Sequence, residues 1–232
     1  TQEYGENLET SLQYRGADLI GILNGIDQNN WNPETDSSLN CKIHSVNPGK
    51  GKYSNKISLL KEMGLPVEEK IPLFGVVSRL YHQKGLDILS KSLPELLVKN
   101  NFQIVLLGNG DPDLENSFRE LASKFHKKIS IHIGFNDGLA RRIFAGSDFF
   151  VMPSRFEPCG LAQQYAMKYG SIPVARKTGG LADTIIDVDT QKERANGLLF
   201  EQISSNEMKK VVHRAIKLFQ IPELFEKIRE NG

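Results

Sequence analysis

A chain of 232 residues, 39% hydrophobic and 25% charged, holds enough apolar material for one large core or two small ones, which excludes a disordered segment. Its 29 Lys and Arg against 28 Asp and Glu leave a formal net charge of +1, so no global field recruits nucleic acid or an anionic membrane, and any anion site must be local. Two cysteines, Cys41 and Cys159, are too few for a disulfide scaffold or a cysteine-based zinc site, which fits a reducing compartment, and no apolar run nears the roughly 20 residues of a membrane span.

The first residue is Thr1, and neither a signal-peptide apolar region nor an Arg/Ser-rich transit segment follows, so the sequence reads as a soluble piece of something longer. Leu19 to Leu23 reads as a first strand. Asn24-Gly25 and Asn32-Pro33 mark a loop, and Glu34 to Ser54, thick with Asp, Ser, Asn, Pro and Gly, reads as a long irregular connection and the best linker candidate. A helix is expected from Ser54 to Met63, closed by Gly64 and Pro66, then a strand at Leu73 to Val77. Further alternation follows: helix Leu86 to Leu97, strand Gln103 to Leu107, helix Asp113 to Phe125, strand Ile129 to Ile133, helix Asp137 to Ala145, strand Asp148 to Met152. A helix to Tyr169, a short strand at Ile172 to Ala175, a last strand at Leu198 to Phe200 and helices at Ser205 to Phe219 and Pro222 to Glu230 complete it. Such alternation implies an α/β fold, an open and mostly parallel sheet with helices on both faces, whose ligands bind outside the carboxyl ends of the strands.

Three loops lie at such ends: Ser78 to Gly85, Gly108 to Asp111 and Pro153 to Gly160. In the first, Arg79 and Lys84 can clamp a diphosphate, Arg as a planar fork and Lys as a point charge; an arbitrary pair of this kind is more often two solvated cations. Gly108-Asn109-Gly110 starts like a dinucleotide fingerprint, but Asp113 stands where the third Gly is needed, leaving close ligand approach and simple turn shaping equally open. No Walker A motif is present. In the third loop, Glu157 can accept hydrogen bonds from sugar hydroxyls while amides at the following helix start attract phosphate, so both needs of a nucleotide-sugar fall within a few residues. Taken singly, Glu157 is more often a surface or capping carboxylate, and Cys159, without a nearby His in sequence, a small buried hydrophobe rather than a nucleophile. His44, His82, His126, His132 and His213 show no metal-ligand spacing, so no metal is expected. Trp31 and Phe135 can stack on a base, though core packing is the commoner fate of an aromatic.

Three segments together carry a resemblance: Asn24-Gly25-Ile26-Asp27 with Trp31-Asn32-Pro33 and Thr35-Asp36; Ser78-Arg79-Leu80 with Gln83-Lys84-Gly85; and Pro153 to Leu161 continuing to Lys177-Thr178-Gly179-Gly180-Leu181-Ala182-Asp183-Thr184. They resemble the bacterial glycogen synthase and plant starch synthase family, which transfers glucose from ADP-glucose to the nonreducing end of an α-1,4-glucan. The resemblance implies the C-terminal, nucleotide-sugar-binding, Rossmann-like domain of a GT-B glycosyltransferase over residues 19–232, with residues 1–18 ending a preceding domain. It implies that Arg79 and Lys84 hold the phosphates of the donor and that Glu157 contacts its hydroxyls, all three being catalytic, while Tyr165 takes the second position of the superclass's two-carboxylate pattern. Cys159, Gly160 and Leu161 are expected to line the glucosyl-phosphate site, with Phe135 beside the adenine and Thr178 and Gly179 nearby. Expected partners are ADP-glucose or ADP, the glucan and the N-terminal domain, with no nucleic acid or membrane. No cofactor is implied, since ADP-glucose is a substrate. The expected compartment is bacterial cytoplasm, or alternatively plastid stroma. The isolated piece is expected to be inactive; the alternatives are a noncatalytic nucleotide-sugar or glucan-binding module and a related transferase using UDP-glucose.

Overall fold

The computed structural model describes residues 7–44 and 48–232; residues 1–6 of the expected preceding domain and 45–47 of the expected connection lie outside them. Six strands, β1 (Leu73–Val77), β2 (Gln103–Gly108), β3 (Ile129–Ile133), β4 (Phe149–Met152), β5 (Ile172–Arg176) and β6 (Leu198–Phe200), form one sheet. Their order is β3-β2-β1-β4-β5-β6 and every pairing is parallel. The helices are α1 (Glu9–Arg15), α2 (Pro48–Glu62), α3 (Leu86–Lys99), α4 (Pro112–Lys124), α5 (Asp137–Gly146), α6 (Ala162–Lys168), α7 (Gly179–Thr184), α8 (Ser205–Phe219) and α9 (Pro222–Glu230).

Helices cover both faces, which is why β1, β2 and β4 are apolar at successive positions, whereas the edge strand β3, Ile129-Ser130-Ile131-His132-Ile133, alternates with polar residues. On β4, Phe149 and Val151 enter the core shared with α3, α4, α8 and α9, while Phe150 and Met152 enter the one shared with α2, α5 and α6. Phe74 stacks on Phe149 at 5.1 Å between centroids and meets Phe102 edge-on at 5.2 Å, tying β1 to its neighbours. Gly75 leaves room on β1 for α5: a Cβ there would lie 2.7 Å from Ser147 Oγ and 2.8 Å from Ile143 Cγ2.

Two expectations are corrected. Leu19 to Leu23 is no strand: it follows a short 3-10 turn (Gly16–Asp18), pairs with no strand among the described residues, and leaves Ile20 80% and Ile22 89% exposed. Its composition favours extended backbone, but a ladder needs a partner. The segment before Ser54 is no slack linker either, since α2 begins at Pro48. Gly51, read as a loop residue, lets the helix touch the preceding chain, where a Cβ would lie 2.5 Å from Lys42 O. Lys52, one residue on, is buried and donates to Phe144 O (3.0 Å), Ser147 O (2.6 Å) and Ser171 Oγ (2.9 Å), pinning α2 to the end of α5. Burial, with Arg229 nearby, pushes its ammonium well below the usual lysine range.

The upstream chain is fastened to the same face. Trp31 lies between Tyr165 (stacked, 3.8 Å) and the Arg141 guanidinium (4.0 Å from the ring centroid). Arg141 also donates to Asn30 O at 2.7 Å and Asp36 Oδ2 at 3.0 Å, and Tyr169 Oη donates to the same Asp36 oxygen at 2.5 Å. Trp31 is thus packed, as the commoner fate of an aromatic has it, and is not free for a base.

Candidate functional site

In this strand order the crossovers leave β1 and β4 in opposite directions, so a crevice opens beyond their carboxyl ends. The loops after these two strands carry the sequence-derived clamp. The first, Ser78 to Gly85, turns through a 3-10 segment (His82–Lys84) and ends at Gly85, whose φ of +67° opens α3. A Cβ at Gly85 would lie 1.9 Å from Pro153 O, so only glycine permits this approach to the second loop.

The two loops are clasped further on. Arg155 N donates to Gln83 O (2.8 Å), and its guanidinium donates to His82 O (2.7 Å) and forks onto Asp87 (2.6 and 2.9 Å). Gln83 Nε2 donates to Phe156 O at 3.2 Å, and Arg176 at the end of β5 donates to Arg155 O at 2.6 Å. This clasp sets Lys84 Nζ 2.6 Å from Glu157 Oε2, with the two side chains only 20% and 9% exposed. Sequence separation of 73 residues thus becomes direct contact.

The clasp frames a cavity of about 210 Å³ whose lining includes Arg79, Lys84, Ser154, Glu157, Gly160 and Leu161. Arg79 is exposed, with its guanidinium 5.7 Å from the Tyr81 ring, and among the described residues it has no carboxylate partner. In the same lining, α6 starts at Ala162, and its N-cap Leu161 supplies no side-chain hydrogen bond to the first-turn amides. Two cations, one carboxylate and unfilled backbone donors therefore converge on one space, an arrangement suited to an anion attached to a hydroxyl-bearing group.

The other sequence candidates fall around this cavity in different ways. Cys159 stands beside it, its Sγ accepting from Asn24 N at 3.2 Å. Thr178 is buried and Gly179 (φ +44°) opens α7 behind the second loop; a Cβ on Gly179 would lie 2.1 Å from Glu157 O, which accepts from Gly180 N at 3.0 Å. Gly179 and Gly180 thus support the Glu157 backbone, and neither Thr178 nor Gly179 lines the space. Phe135 is 90% exposed just beyond β3 at the same sheet edge, outside the cavity lining and not in the core. The open question at Gly108 to Gly110 resolves toward turn shaping: a Cβ at Gly108 would lie 2.0 Å from Ser78 O, Leu80 N donates to Asn109 O at 2.8 Å and Asp111 N to Leu80 O at 2.8 Å. Among the described residues no group of three or more His, Cys, Asp and Glu is placed to hold a metal.

Sequence reading missed Gln163. It is fully buried on the first turn of α6, and its Nε2 donates to Cys159 O (3.0 Å), Gly160 O (2.9 Å) and Thr184 Oγ1 (3.2 Å). It braces the loop from beneath and ties it to α7; a Cβ on Gly160 would lie 2.3 Å from its Oε1. Nothing in the string Leu161-Ala162-Gln163-Gln164 separates this residue from its half-buried neighbour Gln164, because the signal is burial.

A parallel doubly wound sheet with a cation-lined crevice at its switch point is the arrangement of the nucleotide-binding class of α/β domains. A family model for group 1 glycosyl transferases matches residues 61–232, and the chain belongs to that family. Within it, homology is to the glycogen and starch synthases. Over its full length the chain is 46% identical to the glycogen synthase of Thermosipho melanesiensis and 43% identical to that of Syntrophotalea carbinolica, covering 48% of each. It also matches the catalytic domain of starch synthase IV from Arabidopsis thaliana, solved with ADP and acarbose, with a TM-score of 0.91 and 35% identity over 100% of this chain and 48% of that one. The expected fold class stands: this is the C-terminal domain of the GT-B architecture. The C-terminal domain of a group 1 glycosyl transferase, LpcC, from Francisella tularensis shares the fold at a TM-score of 0.63 and 21% identity, over 90% of this chain and 94% of that domain. The chain spans about half the length of the curated relatives it matches.

Proposed function

We propose that this chain is the donor-binding half of a retaining glucosyltransferase that moves glucose from ADP-glucose to the nonreducing end of an α-1,4-glucan, and that it is inactive without the other half. The observation that carries the reading is the convergence of Arg79, Lys84, Glu157 and the start of α6 on one cavity at the β1/β4 switch point. Homology to glycogen synthases and the ADP in the starch synthase IV structure support the choice of nucleotide.

In this reading the diphosphate lies between Arg79 and Lys84 and against the first amides of α6, which together offset the charge that grows on the departing ADP. Glu157 accepts from glucosyl hydroxyls, and the exposed Phe135 ring stacks beside the adenine. Attack by the glucan hydroxyl on the same face as the leaving group retains the anomeric configuration without a protein nucleophile. Residues up to about 18 belong with the preceding domain, whose closure excludes water and spares the donor from hydrolysis.

Calorimetric titration of the chain with ADP, UDP and ADP-glucose tests the reading. ADP and ADP-glucose are expected to bind and UDP to bind more weakly. Preference for UDP assigns the chain to a UDP-glucose-dependent transferase, and failure of all three nucleotides removes the donor-site reading.

A further inference from the structure

In this site one cation is uncommitted and the other is already neutralised. Arg79 has no carboxylate partner among the described residues, whereas Lys84 Nζ is held 2.6 Å from Glu157 Oε2, which also accepts from Ser154 Oγ at 3.4 Å. The backbone on both sides is braced: Gly85 abuts Pro153 O, and Glu157 O is held by Gly180 N and walled by Gly179. Side-chain rotation is therefore the least costly way to part the pair.

An arriving diphosphate needs Lys84 and is repelled by Glu157. Bare nucleoside diphosphate gives Glu157 nothing in exchange for the lost cation. A sugar-bearing diphosphate does, because sugar hydroxyls next to the phosphate can donate to the released carboxylate. We propose that Glu157 is an internal counter-ion that competes with the diphosphate for Lys84, so that the site selects glycosylated nucleotide over free nucleoside diphosphate and helps expel the latter once the sugar has been transferred. This rests on the donor-site reading above and adds to it a rule of selectivity and product release. Glu157 thereby acts twice, on the sugar when donor is bound and on Lys84 when it is not.

The test is a double-mutant cycle read by calorimetry with ADP and ADP-glucose, with circular dichroism confirming that each variant is folded. Glu157→Gln keeps the shape and the Ser154 contact but removes the charge. It is expected to tighten ADP binding by about fivefold or more, the scale of one partly buried charge interaction, while ADP-glucose gains less, so the preference for the sugar nucleotide falls. In a Lys84→Met background the same change is expected to leave ADP affinity nearly unaltered; Lys84→Gln serves if the methionine variant does not fold. Unchanged or weaker ADP binding by Glu157→Gln overturns the counter-ion role, as does a gain that persists undiminished without Lys84, which would make it a general field effect. ADP binding that still depends on Arg79 in those cases leaves the donor site intact, whereas no ADP binding to the unaltered chain removes both.

Discussion

Arg79 and Gln163 contribute to the same cavity by opposite physical routes. Arg79 presents an uncommitted guanidinium to it, so Arg79→Ala is expected to leave the thermal midpoint unchanged and weaken ADP binding by about 1–3 kcal/mol, the scale of a charge-assisted hydrogen bond. Calorimetry checks this, and unaltered affinity would return Arg79 to the solvated surface. Gln163 acts on the loop itself through Cys159 O and Gly160 O. Gln163→Ala is expected to destabilise the fold by about 1–3 kcal/mol, because it empties a fully buried site and takes the donor from the half-buried Cys159 carbonyl, while Gly160 O keeps Gln164 Nε2 at 3.0 Å, and also to weaken ADP binding. Urea unfolding and titration of the same variant separate the two effects; lost stability with unchanged ADP affinity would show that the loop keeps its shape without the brace. Residue type at a strand end made Arg79, Lys84 and Glu157 legible in sequence. Burial and contact decide the role of Gln163 and the Lys84–Glu157 pairing, and neither is written in residue type.

The loops and helices set how firmly those residues are held. Gly85 unites a left-handed φ with contact against Pro153 O, so Gly85→Ala combines strain with overlap. It is expected to cost at least about 2 kcal/mol in urea unfolding and to weaken ADP binding by moving Lys84; near-normal values of both would show that the clasp yields easily. The segment from Trp31 to Ile43 is held on α5 and α6 chiefly through Asp36. Burial acts to raise the Asp36 pKa, but hydrogen bonds from Tyr169, Ser38 and Arg141 outweigh it and hold the carboxyl below its ordinary value. A depressed folded-state pKa contributes stability that is full above the unfolded value, about 3.9, and is lost as pH falls through the folded one. Asp36→Asn is therefore expected to lower stability at pH 7 by about 1–3 kcal/mol, Arg141 losing its buried carboxylate but keeping the exposed Asp137 at 2.8 Å, and to flatten the loss of stability below about pH 4. Urea midpoints from pH 7 to pH 3 check this; parallel curves would remove Asp36 from the acid transition. Most elements could be read in advance, since apolar strands buried on both faces and helices with glycine or capping residues at their ends announce themselves locally. The start of α2 could not, because Gly51 and Lys52 spell a loop and become helical through tertiary contacts with Lys42, Phe144 and Ser147.

At the scale of the whole molecule, the boundary between packed and unpacked chain falls near Asn24. Upstream, α1 buries no residue, and Leu19, Ile20, Ile22 and Leu23 are 47–89% exposed. Among the described residues Asn24 is the first bonded to the site, its N–H donating to Cys159 Sγ at 3.2 Å and its carbonyl accepting from Gln164 Nε2 at 3.1 Å. Beyond it come the Trp31 stack and the Asp36 pair. A chain beginning at residue 24 is thus expected to keep its ADP affinity and to melt within about 2 °C of the full chain, since none of the described residues before Asn24 is buried. A chain beginning at residue 44 loses the aromatic stack, about 1 kcal/mol, and takes Asp36 and both Asn30 acceptors from Arg141, which among the described residues keeps only the exposed Asp137, about 3 kcal/mol more. At about 2–4 °C per kcal/mol for a domain of this size, its midpoint should fall by at least about 8–16 °C, since the buried Leu39 and Ile43 are lost as well. Differential scanning calorimetry of the two shortened chains decides the point: a large loss in the longer one would mean that residues 7–23 pack on the domain, and no loss in the shorter one would mean that the Trp31 to Ile43 segment is an appendage rather than part of the core.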